Sequence, residues 1–350
     1  MSGESVTVSV PVAAVLSPRD RKVLRYALGA TLCMGVALGF GYPLSFLTPV
    51  LALGFLAAPA PLGWRAGLTL LATIGVACLI GLALIRFLLP YPLVYVPFMG
   101  LLLFRIYHAK AEGASPLLIL WLLIALLALP LVAMQSAGIA RLVAAGILFG
   151  ATMTVILVQL IWFLIPDAPV TPVAATKAAT PAPPVPSAAE KFRNAALSTA
   201  VVFPLMVVFM LLEQTGSVLI LIFVAILSLQ PGFAGSFRMG VALILGNALG
   251  GVVSIMFYEL LVMVPVFPFM LLLTLLCGLV LGAQLFSGKK TGALFGMGFS
   301  TVLLIIGSTT GASGDAEAKV ITRVLQIMLA VIYVVIAGGL LERLTRRKGN

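Results

Sequence analysis

Charged residues are scarce in this sequence, and their scarcity narrows the class of protein at once. Only 9% of the 350 residues are Asp, Glu, Lys or Arg, whereas 62% are hydrophobic, and the mean hydropathy is +1.23. So few polar residues cannot cover the surface of a soluble globule of this length. The apolar runs lack the in/out alternation of a strand barrel. The sequence therefore predicts an all-α, polytopic membrane protein.

Residues that carry catalysis or bind metals are equally sparse. The chain has one histidine, His108, which is expected in a solvated inner turn, and three cysteines in separate apolar helices without metal-ligand spacing. No nucleophile, base and orienting residue can be grouped into a triad. We therefore expect neither an enzyme nor a protein that holds a cofactor or a metal.

Basic residues outnumber acidic ones by 21 to 10, and their positions predict an orientation in the bilayer rather than a nucleic-acid partner. If the N-terminus is cytoplasmic and twelve helices follow, 17 of the 21 Lys and Arg residues fall on the inner side. The outer ones are Arg86, Arg141, Lys319 and Arg323. Because inner loops of membrane proteins carry the excess of positive charge, we expect both termini in the cytoplasm.

Apolar runs and their Pro/Gly breaks predict about twelve transmembrane helices in two groups of six. The predicted helices are 26–41, 44–60, 66–89, 92–107, 115–134, 139–165, 195–213, 217–232, 239–262, 264–286, 291–309 and 320–342. The first repeat is thus 26–165 and the second 195–342, joined by a Pro/Ala-rich cytoplasmic linker at 166–194. Residues 1–25 and 343–350 are predicted to be a cytoplasmic N-terminal segment and a basic tail.

The two halves align at an offset of 172 to 173 residues, which places Ser45 on Ser217 and Pro92 on Pro265. Because six is an even number, both halves enter the membrane from the same side. The pattern predicts parallel repeats related by an axis along the membrane normal, with a transport path between the halves.

Three predicted helices, 44–60, 217–232 and 92–107, are short for a hydrocarbon core of about 30 Å. Ordinary hydrophobic mismatch is one interpretation, since a short helix can tilt or thin the bilayer. The other is a discontinuous helix whose end faces a substrate.

Five residues are candidates for a substrate path or its coupling. Asn247 places an amide in mid-helix, within the small-residue stretch GNALGG, where a polar group needs a partner or water. Arg86, Arg141, Glu213 and Glu259 lie near outer helix ends, where snorkelling could explain each one. Arg86 and Glu259, however, occupy matching repeat positions with opposite charges, so we hypothesise that they face each other across the axis.

The stretch RYALGATLCMGVALGFGYPLSFLTPVLALGFL, Arg25 to Leu56, followed in the second half by GNALGG, resembles the fusaric acid resistance and aromatic acid exporter superfamily, in its compact bacterial branch. The duplicated plan is also similar, distantly, to the membrane part of aluminium-activated malate transporters. The larger branch carries a soluble cytoplasmic region, where this chain has only the linker. The resemblance implies export of aromatic or other hydrophobic carboxylic acids across the bacterial inner membrane, often beside a periplasmic membrane-fusion protein.

These observations lead to one functional hypothesis and two alternatives. We expect a secondary exporter of small organic anions, in which positive residues draw the substrate and a carboxylate carries protons. A passive anion channel of the same fold is the first alternative. A non-transporting membrane subunit of a larger complex is the second, and it would show a dry seam between the halves.

Overall fold

The computed structural model describes residues 17–42, 44–166, 187–213, 218–229, 232–289, 291–309 and 316–347. These ranges consist of twelve α-helices and the turns around them, with no strand among them. By length and composition, eight of these helices are able to cross a membrane. The protein is therefore an all-helical, polytopic membrane protein, as the composition predicts.

The helices follow the predicted order. They are α1 Pro18–Phe40, α2 Leu47–Leu56, α3 Trp64–Phe87, α4 Pro92–Ala111, α5 Pro116–Gln135, α6 Ala137–Leu164, α7 Ala188–Leu211, α8 Val218–Leu227, α9 Gly232–Met263, α10 Phe267–Leu285, α11 Gly292–Thr309 and α12 Ala316–Arg347. The first half is α1 to α6 and the second is α7 to α12. We call the end of the bundle where α1 begins the predicted inner end.

The first helix of each half begins about two turns before its predicted start, because hydropathy alone misses capped polar turns. The Ser17 hydroxyl accepts a bond from the Asp20 N–H at 3.1 Å. Ser187 and Glu190 form a reciprocal capping box, with bonds of 2.8 and 3.2 Å. The last residues of the predicted linker therefore belong to α7, and 167–186 lie outside the described residues.

Two of the three helices predicted to be short are short. Helices α2 and α8 each have 10 residues, or about 15 Å, half of the hydrocarbon thickness. Helix α4 has 20 residues and is long enough to span, so its predicted shortness was wrong. It continues through charged residues because His108 and Lys110 occupy its last turn, where cations are favoured by the helix dipole.

The packing of the helices repeats between the halves. Helix α1 packs against α10 as α7 packs against α4, and α3 packs against α5 as α9 packs against α11. The contacts of α2 with α6 and α11 are matched by those of α8 with α12 and α5. Most helix pairs therefore have an equivalent in the other half, which is the packing that a pseudo-two-fold axis produces.

Six helices close a ring around that axis. Following their contacts, the order is α2, α6, α5, α8, α12, α11 and back to α2. The two-fold operation exchanges α2 with α8, α6 with α12 and α5 with α11, so it maps the ring onto itself. The short helices α2 and α8 are thus ring members, whereas α1, α3 and α4 and their equivalents α7, α9 and α10 lie outside.

The two halves share their cores. One buried cluster joins α1, α2 and α6 of the first half to α9, α10 and α11 of the second. Another joins α3, α4 and α5 to α7, α8 and α12. Small residues bring the helices close, since a Cβ on Gly278 would lie 2.9 Å from the Cα of Ala27. The repeats are thus interlocked rather than merely side by side.

Candidate functional site

Arg86 and Glu259 do not form the predicted pair. Both side chains are exposed, Arg86 in the last turn of α3 and Glu259 in α9. No ion pair joins them in the described part of the chain. A two-fold axis places equivalent residues on opposite sides of the axis. Helices α3 and α9, which carry Arg86 and Glu259, both lie outside the ring of six helices around it. No contact among the described residues supports a pairing of the two charges, and a role for either residue in a substrate path stays a prediction.

The other outer charges also lie at exposed helix ends. Arg141, in the first turns of α6, donates from Nε to the carbonyl of Ala137 in its own helix, at 3.3 Å. Glu213 directly follows the end of α7 with a φ of 51°. Neither residue reaches the buried interior, which is consistent with interfacial anchoring. His108 differs from its prediction: it is half-buried in α4 and stacks on Phe104.

Asn247 is buried, but its amide is bonded within the second half. Its Nδ2 donates to the Leu243 carbonyl at 2.8 Å, and its Oδ1 accepts from the Thr301 hydroxyl at 2.8 Å. Thr301 lies on α11, and the neighbouring Gly250 of α9 lies directly against the carbonyl of Gly298 on α11. These contacts tie α9 to α11, and a place for Asn247 in the substrate path stays a prediction.

A group of polar side chains meets at mid-depth where the chain passes from the end of α1 at Phe40 to the start of α2 at Leu47. We call this passage the break. Thr48 and Thr154 are fully buried. The Thr48 hydroxyl bonds to Tyr42 and donates to the Gly150 carbonyl at 3.1 Å. The Thr154 hydroxyl bonds to the carbonyls of Thr48 and Gly150, at 3.1 and 2.8 Å. Three hydroxyls thus surround the first turn of α2.

The residues of α6 that contact the break show how deep it lies in the bundle. Gly150 is the midpoint of that 28-residue helix, and the Tyr42 ring packs edge-on against Phe149 at 4.7 Å. Beyond the other end of α2, the Gln159 amide bonds to the Leu62 carbonyl. Helix α2 therefore runs beside only the inner half of α6. It is a discontinuous helix that begins in the middle of the bundle.

The chain enters α2 through a strained turn. Leu44 has a φ of 60°, a left-handed conformation that branched and bulky residues rarely adopt and that costs about 1–2 kcal/mol. The N-cap residue, Phe46, makes no side-chain capping bond. The positive end of the α2 dipole thus lies at mid-depth, and the hydroxyls of Tyr42, Thr48 and Thr154 are the polar side-chain groups described beside it. Strain of this kind is typical of functional sites.

Arg25 is the residue that sequence reasoning missed most clearly. It is one of the 17 basic residues predicted on the inner side, but its side chain has no exposed surface. Its guanidinium carbon lies 3.4 Å from the centroid of the Trp162 ring of α6. The next residue, Tyr26, packs on Gly282 of α10. The sequence does contain a signal for this position. Ser17 and Pro18 are typical of a helix start, and a helix that begins there has Arg25 in its third turn.

The described residues offer no metal centre, since no group of three or more potential His, Cys, Asp or Glu ligands occurs among them. A cavity of about 100 Å³ lies between α3, α4 and α5. Its lining is apolar, with Ala77, Gly81 and Ile106 among its residues. Nothing in that cavity would orient a polar ligand, so the break between α1 and α2 remains the strongest candidate site.

One family model matches the chain over residues 22–161, and its description is "Protein of unknown function (DUF2955)". The match spans most of the first half, from α1 into α6, and carries no activity. No curated protein and no solved structure matches the chain. The resemblance to aromatic acid exporters therefore stays a prediction.

Proposed function

We propose that this protein transports small organic anions across the membrane, and that the break between α1 and α2 is part of the path. The observation that carries the proposal is the position of the first turn of α2, at mid-height of α6 and surrounded by Tyr42, Thr48 and Thr154. Irregular backbone at membrane depth is tolerated where protein buries it or where it lines a wet cavity. In secondary transporters, discontinuous helices with such ends bind substrate.

The substrate class follows from the sign of charge at this depth. The N-terminus of α2 is the positive end of its dipole, which stabilises an anion near it. The resemblance adds aromatic or hydrophobic carboxylic acids as the first compounds to test, and the bacterial inner membrane, with a periplasmic membrane-fusion partner, as the setting.

A passive anion channel is the second candidate, and one observation favours it. Every described Asp or Glu side chain is exposed: Asp20, Glu112, Glu190, Glu213 and Glu259. A proton-coupled exporter needs a carboxylate that meets both the path and the protons. Flux that follows the anion gradient and membrane potential but ignores a pH gradient would favour the channel. Flux driven by the pH gradient alone would favour the exporter.

Transport is tested most directly with purified protein in liposomes loaded with a panel of aromatic and short-chain carboxylates. We expect Thr48→Val and Tyr42→Phe to lower the initial rate of anion efflux at least about threefold, because each removes a hydroxyl at the break. The matched controls are Thr69→Val and Tyr91→Phe, whose side chains are exposed on α3 and just before α4. Equal rates in all four variants would place the path elsewhere.

A gene deletion tests the same proposal in cells. Growth against a panel of aromatic and other weak acids should show selective sensitivity, which the intact gene reverses. Equal sensitivity to every compound would contradict export and leave the third interpretation, a non-transporting membrane subunit. Reporter fusions within 167–186 and after the end of α12 test the orientation. Both should give cytoplasmic signals if the positive-inside prediction holds.

A further inference from the structure

We propose that the apolar cavity between α3, α4 and α5 binds one acyl chain of an anionic membrane lipid, whose headgroup contacts Lys110 near the end of α4. None of the residues that line this cavity belongs to α1, α2 or α6, so the lipid site is separate from the break. The proposal therefore does not depend on the transport proposed above.

The cavity lies in the inner half of the bundle. The ring of Phe104 in α4 contacts the ring of Phe192 near the start of α7, with 5.1 Å between the centroids, so α4 ends at the predicted inner end. Ile106 lies about 8 Å before the end of α4, and Leu122 lies about 9 Å after the start of α5. Because half of the hydrocarbon core is about 15 Å thick, acyl chains of the inner leaflet reach this depth.

One wall of the cavity reaches the outer surface of the bundle. Ile80 lines the cavity and is 36% exposed, and its neighbours Val76 and Leu79 on α3 are exposed as well. Helices α3 and α4 lie outside the ring of six helices, so their exposed faces meet the hydrocarbon of the bilayer. A lipid chain beside α3 is therefore in a position to enter the cavity.

The lining of the cavity selects hydrocarbon. Its side chains are all Ala, Ile or Leu, together with the backbone of Gly81. Apolar cavities stay dry, and one of about 150 Å³ binds benzene or xenon. The volume here, about 100 Å³, accommodates a short piece of hydrocarbon. Because the walls of an empty cavity lose dispersion contacts, the acyl chains around α3 and α4 are the expected occupants.

The cavity is a property of the residues in the first half rather than of the repeated fold. At the offset of 173 residues, Ala77 corresponds to Gly250. A Cβ on Gly250 would lie 2.3 Å from the carbonyl oxygen of Gly298, so the backbones of α9 and α11 touch there. In the first half, the close approach lies one turn further along α3, where a Cβ on Gly81 would lie 3.2 Å from the carbonyl oxygen of Ala125. The Ala77 level is left open, and the cavity occupies it.

Lys110 supplies a positive charge for the headgroup. Leu102, Ile106 and Lys110 follow one another at four-residue spacing in α4, so they share one face of the helix. The first two line the cavity, and Lys110 is half-buried one turn closer to the inner end. No carboxylate of the described ranges pairs with it. A lysine stem packs along apolar surface while its ammonium stays at headgroup level, where basic residues attract anionic lipids.

Trp121 can report the occupant of the cavity. It is 5% exposed, directly precedes Leu122 and shares a buried cluster with Ala77. Replacing Trp64 and Trp162 with Phe leaves it as the single indole of the full-length chain, which has three tryptophans. The protein is reconstituted into vesicles whose lipids carry bromine at mid-chain, which quenches tryptophan emission at contact. We expect Trp121 to be quenched relative to vesicles of unbrominated lipid, and unquenched emission would overturn the site.

Filling the cavity should exclude the chain. We expect Ala77→Leu to reduce the quenching of Trp121 by at least about half, because a filled interior has no room for a second occupant. Ala72→Leu makes the same change at an exposed position of α3 and should quench like the parent. Leu122→Phe fills the cavity from α5 and serves as the test if Ala77→Leu fails to fold. Parental quenching in the folded filling variant would contradict the proposal.

The headgroup is tested with brominated phosphatidylglycerol and brominated phosphatidylcholine, each diluted equally into unbrominated phosphatidylcholine. We expect stronger quenching by phosphatidylglycerol, and Lys110→Gln should lower the ratio of the two apparent affinities about fivefold, the effect of one basic residue at a membrane surface. Lys22→Gln removes a half-buried lysine from α1 at the same end of the bundle and should keep the preference. Equal quenching by both lipids in the parent, or an unchanged preference in Lys110→Gln, would overturn the assignment of an anionic lipid.

Discussion

The hydroxyls at the break should be energetically coupled, and a double-mutant cycle on Tyr42 and Thr48 measures this coupling. Thr48→Val is nearly isosteric, so it removes the hydroxyl without opening a cavity. It eliminates the bond to Tyr42 and the 3.1 Å bond to the Gly150 carbonyl. Thr154 continues to donate to the same carbonyl at 2.8 Å, so that acceptor keeps a partner.

The expected magnitudes follow from this count of bonds. Hydrogen bonds between helices in membranes contribute about 0.6 kcal/mol on average and up to about 1.7 kcal/mol. Thr48→Val should therefore lower the free energy of unfolding by about 1–2 kcal/mol, and Tyr42→Phe by about 0.5–1 kcal/mol. Because one bond is shared, the double variant should be less harmful than the sum of both, by about 0.5–1 kcal/mol.

Reversible denaturant unfolding in micelles, followed by circular dichroism, measures all four corners of the cycle. Thr69→Val is the control, since its exposed hydroxyl bonds only within α3, to the Arg65 carbonyl at 2.8 Å. It should change stability by no more than about 0.5 kcal/mol. Additivity of the two changes within about 0.3 kcal/mol would refute the hydroxyl network on which the mid-depth site depends.

Four further substitutions test the helix packing and the hypothesis that Arg86 and Glu259 form a pair. Gly250→Ala should destabilise the protein by about 1–3 kcal/mol in the same unfolding assay, because its Cβ would collide with the backbone carbonyl of Gly298. Asn247→Leu should lower the unfolding free energy by at least about 1 kcal/mol, through loss of its bonds to α11 and to its own helix, whereas an unchanged stability would return it to the substrate path. Arg86→Ala and Glu259→Ala should be additive in transport rate, and non-additivity would restore the pairing hypothesis.

The architecture could be predicted from sequence because hydropathy and helix punctuation are local signals. They gave twelve helices in the correct order, and the even number in each half gave the symmetry. The starts of α1 and α7 were misplaced because polar residues in capped first turns lower the hydropathy. Ser17 and Asp20, and Ser187 and Glu190, carry the capping pattern in the sequence itself. Attention to those caps would have corrected both starts.

The candidate site could not be predicted in the same way, because burial of a polar residue depends on distant helices. Arg25 is enclosed by Trp162, which is 137 positions later, and Thr48 finds its acceptor at Gly150. Asn247 also lies in an apolar run of the sequence, and its oxygen accepts a hydrogen bond from Thr301, 54 positions later in the same half. Hydropathy assigns a depth to each residue but not a neighbour, so it could not distinguish these cases.

The two halves pack in equivalent ways, but the buried polar residues of the first half are not repeated in the second. At the repeat offsets of 172 and 173 residues, Thr48 corresponds to Ile220 and Arg25 to Ser198. The second half thus repeats the short helix without the hydroxyl that α2 carries, and it repeats the first helix without the buried charge. If these polar groups only supported packing, equivalent positions in an equivalent packing arrangement would need similar groups. The transport proposed above would therefore use one side of the axis, at the first turn of α2, with the symmetric packing of the two halves as its scaffold.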